Sequence, residues 1–186
     1  MRAGAASIGL LLLAYVLSPY ISIFNLYVAL ASSDQESVRE RVLWDPVRER
    51  LSRDLDRFAQ VQANQLLNKE GVSMSWDSAS LAEEVTAKLA TPEGLISLFH
   101  HPAQMVGQLR RAFDKGGDPL LTPRVEKKTF TPEAPNIEQL ANRLRYAFFT
   151  GLSSFRLSFA VGDLSFTLLL ERYGLSWKVA ELQFLT

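Results

Sequence analysis

The sequence contains no cysteine and only two histidines, and its 186 residues carry 20 basic and 20 acidic side chains. The lack of cysteine excludes disulfide frameworks, thiolate metal sites, iron–sulfur clusters and cysteine nucleophiles. Because the formal net charge is zero, the chain has no general attraction to polyanions, and we expect no nucleic-acid partner. A chain of this length can bury a core and is typical of one domain, with or without an appendage.

The motifs of common catalytic and cofactor sites are also missing. The sequence has no phosphate-binding glycine loop, dinucleotide fingerprint or HExxH pair. Residues 151–155 and 174–178 begin like a serine nucleophile elbow, but both lack its second glycine. Adjacent His100 and His101 would point about 100° apart on a helix, which suits a helix-end cap better than a shared metal. We therefore expect that the protein is not an enzyme, that it has no catalytic residue, and that it binds no cofactor and no metal.

The amino-terminal segment has the composition of a membrane helix. Residues 3–33 contain no ionisable group except tyrosine, and residues 8–17 are their most apolar part. A spanning helix needs about 20 predominantly apolar residues, a length that is reached when the run continues to Phe24. The sequence predicts an uncleaved membrane anchor over 1–24, followed by a single α+β domain over 25–186.

A cleaved signal peptide and a buried soluble helix are the two alternatives for this segment. Ala29-Leu30-Ala31 has the small-x-small pattern of a cleavage site, but it lies farther from the apolar run than such sites usually do. By the positive-inside rule, Arg2 favours a cytoplasmic amino end, although this rule has less influence on orientation when a long domain follows the helix. We expect an inner-membrane protein with lipid around its helix and its carboxyl-terminal domain outside the cytoplasm.

The middle of the chain has the spacing of amphipathic helices, with apolar residues three and four positions apart. Four prolines in residues 119–135 predict an extended connection, with an edge strand at 125–131 as an option. The predicted helices are 35–43 after Ser33 or Asp34, 46–69, one that begins at Asp77 or Ser80, one opened by Thr91-Pro92, and one capped by Asn136 that carries Leu144 and Phe148.

The last third of the chain alternates with a period of two, which is typical of strands. Gly162-Asp163 separates two alternating runs as a two-residue hairpin turn would. The register that places apolar residues opposite each other avoids setting them against serine, threonine and glutamate. It pairs Val161 with Leu164, Phe159 with Phe166, Leu157 with Leu168, and Phe155 with Leu170.

For the second hairpin we predict a three-residue loop that pairs Tyr173 with Trp177. This loop sets Leu170 against Ala180, Leu168 against Leu182, and Phe166 against Phe184. The two-residue alternative would move Glu181 and Gln183 onto the apolar face. The predicted fold is α+β: an amino-terminal membrane helix, several helices, and a carboxyl-terminal three-stranded antiparallel meander whose apolar face the helices cover.

One candidate partner surface follows from this arrangement. The longer loop places an aromatic and apolar group on the face opposite the apolar one, and clustered exposed aromatics are typical of binding surfaces. The alternative is that the proline-rich segment or a helix covers this group. Its members are Trp177, Tyr173, Leu169 and Val179.

Four segments carry a resemblance to a known family: Ser18-Pro19-Tyr20 and residues 29–34, 42–51 and 170–179. Together they resemble the bacterial domain of unknown function 2939 family, whose members are uncharacterised membrane-anchored proteins. The resemblance implies a membrane-anchored bacterial domain, and it carries no activity, cofactor or functional residue.

The function expected from these features is a non-catalytic interaction or sensing domain at the bacterial envelope, with an unknown protein partner. The alternative is a carrier of a small apolar ligand or lipid, because the predicted element order is similar to that of nuclear transport factor 2-like domains. An unrecognised hydrolase is third. The pocket of such a carrier would be lined by Phe155, Phe159, Phe166 and Phe184.

Overall fold

The computed structural model describes residues 2–70, 78–102, 104–105, 107–108, 111, 144–161 and 164–185. Its α+β architecture agrees with the predicted class, but the antiparallel sheet has four strands in the order β1-β2-β3-β4, not three. The elements are α1 (Arg2–Ala31), α2 (Gln35–Arg41), α3 (Trp44–Glu70), α4 (Ser78–Leu89), α5 (Pro92–His100), β1 (Leu144–Gly151), β2 (Ser154–Val161), β3 (Leu164–Tyr173) and β4 (Ser176–Leu185).

Side-chain caps fix the starts of two short helices, as the sequence predicts. Asp34 is the cap of α2 and accepts a hydrogen bond from the backbone N–H of Ser37 at 3.1 Å. Thr91 Oγ1 accepts from the N–H of Gly94 at 3.0 Å, and Pro92 opens α5. Aspartate and threonine suit these positions because their oxygens satisfy N–H groups that have no partner within the helix.

Other predicted boundaries move or cannot be compared. The helix α4 begins at Ser78, so Ser80 lies inside its first turn and does not open it. Asp77, the proline-rich residues 119–135 and Asn136 lie outside the described residues.

The strand β1 corrects the helix that was predicted to carry Leu144 and Phe148. From Leu144 onward the chain pairs with β2, with Ala147 opposite Leu157 and Phe149 opposite Phe155. The spacing of Leu144 and Phe148 fits a helix, but this stretch is rich in aromatic residues, which favour strands. Phe148 is exposed and Phe149 is partly buried, so the alternation of a strand prevails over the four-residue spacing.

The register of β2 with β3 is the predicted one. Val161 pairs with Leu164, Phe159 with Phe166, and Phe155 with Leu170. The face that carries these apolar residues is called the core face below. On the opposite face Ser158 and Thr167 are also buried, and Thr167 Oγ1 donates to Ser158 Oγ at 3.3 Å.

The loop between β3 and β4 has two residues, which corrects the predicted three-residue loop. Tyr173 pairs with Ser176, so Gly174 and Leu175 form the turn, and Gly174 adopts a φ of +64° that favours glycine. In a strand without a bulge, this turn would carry Glu181 onto the core face.

A bulge removes that difficulty. Leu170 pairs with Val179 while Leu169 pairs with Glu181, so Ala180 is the extra residue of β4. The extra residue restores the predicted pairs of Leu168 with Leu182 and of Phe166 with Phe184 farther along the strand.

The other edge of β4 is covered by the link between α2 and α3. Val42 bridges to Val179 in parallel, and the N–H of Leu43 donates to the carbonyl of Val179 at 2.8 Å. Pairing of this kind protects an edge that would otherwise be open to another strand. The core then extends from the sheet to the helices and includes Leu26, Ala29 and Leu30 of α1, Val38, Val47, Leu51, Leu55, Val85, Ile96, Phe155, Leu170 and Trp177.

Candidate functional site: the junction of the amino-terminal helix with the sheet

Two parts of α1 have different surroundings. Within the described residues, one helix is long and apolar enough to cross a membrane, over Ser7–Ala31, a test that signal sequences and core helices also pass. From Leu26 to Ala31 most side chains are buried in the domain. Nearer the amino end the large apolar side chains project from the domain with 46–70% of their surface exposed: Ile8, Leu10, Leu11, Leu12, Leu13, Val16 and Leu17.

Tyr15 is the first residue of α1 with ring contacts to the sheet among those described. Its ring stacks on Phe149 with centroids 5.6 Å apart and meets Trp177 at 6.4 Å. Its hydroxyl donates to the carbonyl of Leu152, and the guanidinium carbon of Arg172 lies 5.2 Å from its ring centroid. Aromatic packing, a hydrogen bond and a cation–π contact therefore converge on one side chain.

Ser18 links the sheet to a point in α1 where one backbone hydrogen bond is missing. Pro19 lies inside α1 and has no N–H to donate to the carbonyl of Tyr15 four residues before it. The hydroxyl of Ser18 donates to that carbonyl at 2.7 Å and accepts from Trp177 Nε1 at 2.7 Å. The polar group left by proline is thus satisfied, and the same hydroxyl holds the indole of β4.

The second half of α1 is held at both of its ends. The ring of Tyr20 packs edge-on against Phe155 with centroids 5.0 Å apart. At the carboxyl end, Ser33 has a φ of +55°, and the N–H of Ser33 donates to Leu30, a pattern that closes many helices. His100 Nε2, at the end of α5, lies 3.1 Å from the carbonyl of Leu30 and so contacts the carboxyl end of α1, a different helix from its own.

The predicted partner surface is not one surface. Trp177 and Val179 lie on the core face and are 3% exposed each, whereas Leu169 and Tyr173 lie on the opposite face, with Tyr173 65% exposed. The physical reason is the two-residue turn, which reverses the faces of Trp177 and Val179 relative to the predicted loop, while the bulge at Ala180 restores the predicted faces only farther along β4. Trp177 packs on α1 instead.

The aromatic residues assigned to a carrier pocket pack against neighbouring rings. Phe155 is fully buried between Tyr20 and Phe149, and Phe159 stacks on Phe166 at 5.4 Å. The side chain of Phe184 lies outside the described residues.

Two hairpin turns lie at the end of the sheet where the exposed part of α1 leaves the domain. The first contains Leu152, whose carbonyl accepts from Tyr15, and the second contains Leu175. Arg172, beside the Tyr15 ring, donates from Nε to the carbonyl of Gly174 at 3.0 Å and so brings the second turn to the same place. Leu152 and Leu175 are 87% and 92% exposed.

Charged groups at some distance from this junction form a separate set. Arg50 Nε lies 3.5 Å from an Asp54 oxygen and 4.0 Å from Glu181, which links α3 to β4. Hydrogen bonds from Ser37, from its side chain first and its backbone N–H second, lower the pKa of Asp34 below its ordinary value of 3.8. Within the described residues no three histidine or acidic side chains lie close enough together to hold a metal ion.

Tyr15, Ser18, Arg172 and Leu152 are the junction residues that sequence reasoning missed. A Ser-Pro pair inside an apolar helix was a usable signal, since proline leaves a carbonyl that a neighbouring hydroxyl can satisfy. A second signal was the Gly-Leu-Ser triplet that occurs in both turns. The junction holds an apolar helix against a sheet through aromatic rings and through hydrogen bonds made by the side chains of Tyr15, Ser18 and Trp177, among others.

Comparison with known proteins gives one family. Residues 8–98 match the model of a family described as "Protein of unknown function (DUF2939)". No curated protein and no solved structure matches the chain. The matched residues run from the exposed part of α1 to α5 and include Tyr15, Ser18 and the buried end of α1, while the sheet lies beyond them.

Proposed function

Residues 8–98 make the chain a member of the DUF2939 family, and from that premise we propose that it is a membrane-anchored protein of the bacterial envelope. Its helix α1 stays attached and holds a non-catalytic interaction or sensing domain at the inner membrane, outside the cytoplasm. The observation that carries this proposal is the continuity of α1, which is exposed and apolar at one end and part of the core at the other.

The exposed end supports a location in lipid. A row of leucine side chains from Leu10 to Leu13 more than half exposed to water would cost free energy, roughly 25 cal/mol for each Å² of apolar surface. Large exposed apolar patches mark membrane or protein contacts. Because residues 3–33 carry no charge, a bilayer can take up this end without burying an ionised group.

The buried end supports retention of α1 in the mature protein. Cleavage after Ala31 would remove Leu26, Ala29 and Leu30 from the core and would leave the indole N–H of Trp177 without its Ser18 acceptor. Losing a single large core side chain costs about 2–5 kcal/mol, so loss of Leu26 and Leu30 together would remove a large part of the stability of a typical domain.

An interaction or sensing role is supported by the directness of the link between membrane and domain. Tyr15 and Ser18 contact β4 and both hairpins, so a force or tilt on the exposed end of α1 would act on the sheet without an intervening flexible linker. A protein partner bound to the domain would then respond to a movement of α1 in the membrane.

The experiment is membrane flotation of the full chain and a charged variant. Leu11→Arg combined with Leu12→Arg alters two exposed side chains, and each arginine opposes insertion by about 2.5–3.5 kcal/mol. We expect the native chain to float with vesicles and the variant to stay largely in the soluble fraction. Val61→Arg, at an exposed apolar position of α3, is the control and should float like the native chain.

Topology is tested separately by protease access in intact and permeabilised cells. If the domain lies outside the cytoplasm, the protease cleaves a carboxyl-terminal tag once the outer membrane is permeabilised and the inner membrane is still intact. A tag that is protected until the inner membrane is lysed places the domain in the cytoplasm and contradicts this part of the proposal.

A further inference from the structure

We propose that the two hairpin turns beside α1 dip into the acyl-chain layer of the bilayer that α1 enters. These turns, Gly151-Leu152-Ser153 and Gly174-Leu175-Ser176, are called the rim turns. The inference rests on the proposed function, since it adds a second lipid contact to the anchor helix. Its occupant is a phospholipid bilayer, with acyl chains around the two leucines and headgroup phosphates just above them.

The length of α1 gives the first argument. Because Arg2 is charged, the apolar span starts no earlier than Ala3, and even a short span needs about 17 residues. Such a span extends to Pro19, one helical turn beyond Tyr15. At about 1.5 Å per residue, Tyr15 then lies roughly 6 Å inside the hydrocarbon layer.

The contacts of Tyr15 give the second argument, because groups at its level enter the bilayer with it. Its hydroxyl donates to the carbonyl of Leu152 in the first rim turn. Its ring lies under Arg172, whose Nε donates to the carbonyl of Gly174 in the second rim turn at 3.0 Å. A bilayer that covers α1 as far as Pro19 therefore reaches both rim turns as well.

The composition of the rim turns gives the third argument. Both consist of glycine, leucine and serine, and Leu152 and Leu175 are 87% and 92% exposed. A single exposed leucine is ordinary, but here two exposed leucines lie at the same end of the sheet, beside an exposed apolar helix. At the opposite end, where Val161 pairs with Leu164, the intervening sequence contains an acid, Asp163.

The polar groups at this end are compatible with a lipid interface. The Leu152 carbonyl has a donor in Tyr15, so it need not enter the acyl layer unpaired. Tyrosine is enriched at lipid–water interfaces, which suits the exposed Tyr173 beside the second rim turn. The long side chain of Arg172 can extend toward headgroup phosphates while its stem remains among apolar groups.

The test uses single cysteines in the full-length chain, which has none of its own. Leu152→Cys and Leu175→Cys report on the rim turns, Leu11→Cys reports on the anchor, and Val61→Cys on α3 is the exposed control. Each variant carries an environment-sensitive fluorophore and is reconstituted into phosphatidylethanolamine vesicles with a minority of phosphatidylglycerol. Lipids with spin labels on their acyl chains then quench any probe that reaches the hydrocarbon layer.

We expect blue-shifted emission and strong quenching at positions 152, 175 and 11, and neither at 61. Quenching at 11 without quenching at 152 and 175 would overturn this inference and leave the membrane anchor standing. Absence of quenching at all four positions would overturn the anchor and the inference together. Because all four side chains are about half exposed or more, the labels should leave the fold intact, which circular dichroism of each variant verifies.

Discussion

The indole N–H of Trp177 donates to the hydroxyl of Ser18 across 159 positions of sequence, at 2.7 Å. This hydrogen bond joins the last strand to the helix at the beginning of the described chain. It identifies α1 as part of the domain. The predicted boundary between an anchor at 1–24 and a domain at 25–186 stays untested as a membrane boundary, but the packing of α1 on the sheet begins at Tyr15.

Replacing Trp177 with phenylalanine measures this hydrogen bond. Trp177→Phe keeps an aromatic ring against Tyr15 and Phe149 but removes the donor, so we expect the free energy of unfolding to fall by about 1–2 kcal/mol. Denaturant unfolding of the full chain in mild detergent gives the value. Tyr173→Phe, at an exposed ring, should change it by less than about 0.5 kcal/mol. Equal effects of the two substitutions would contradict the assignment.

Ser18 and Pro19 should show a coupling that depends on the carbonyl of Tyr15. Ser18→Ala leaves that carbonyl and the indole N–H without a partner, which costs about 1–3 kcal/mol. In a Pro19→Ala background the new N–H can reach the same carbonyl, so the Ser18→Ala cost should be smaller there. A double-mutant cycle on unfolding free energies measures the difference. If the costs of the two substitutions are strictly additive, the Ser18 hydroxyl does not compensate for the hydrogen bond that Pro19 cannot make.

Gly94 should not tolerate a side chain, although glycine is unfavourable in a helix. A Cβ at this position would meet the backbone carbonyl of Lys88 and lie 2.7 Å from that of Leu89. We expect Gly94→Ala to lower stability by about 1–3 kcal/mol through overpacking. Gly107→Ala is the matched control, because a Cβ there meets nothing within 4 Å, and its midpoint of thermal unfolding should stay or rise.

Asp34 should make stability depend on acid. Its pKa is lower in the folded chain than its ordinary value of 3.8 because of the hydrogen bonds from Ser37, so the unfolded state binds the proton more tightly. The stabilisation is complete above 3.8 and is lost as the pH falls through the folded pKa. Asp34→Asn keeps a capping side chain without this titration, so the stability difference between native chain and variant should shrink on acidification. A difference independent of pH would contradict this.

The parts of the fold that follow local rules could be predicted from the sequence. The pairs of β2 with β3 follow from strict alternation, and Asp34 and Thr91 follow from the chemistry of helix starts. The strand β1 was missed because Leu144 and Phe148 have helical spacing in a segment whose partner strand lies later in the chain.

The candidate site was less predictable, because it depends on tertiary contacts. The two-residue turn sets the faces of Trp177 and Val179, the bulge at Ala180 restores the predicted faces farther along β4, and alternation alone does not locate a bulge. A membrane helix and a core helix share one apolar composition, so the sequence does not show that the carboxyl-terminal part of α1 belongs to the core. The contacts of Tyr15 with Phe149 and Arg172 locate the point where α1 first meets the sheet, and these contacts are tertiary.

The most direct test of the central claim is the intact mass of the mature protein, purified from the membrane fraction through a carboxyl-terminal tag. If α1 is retained as anchor and core helix, the mass includes residues 2–31 and the protein leaves the membrane only with detergent. A mass that corresponds to a chain beginning near Ser32, or recovery of the full-length chain in the soluble fraction, would contradict the account.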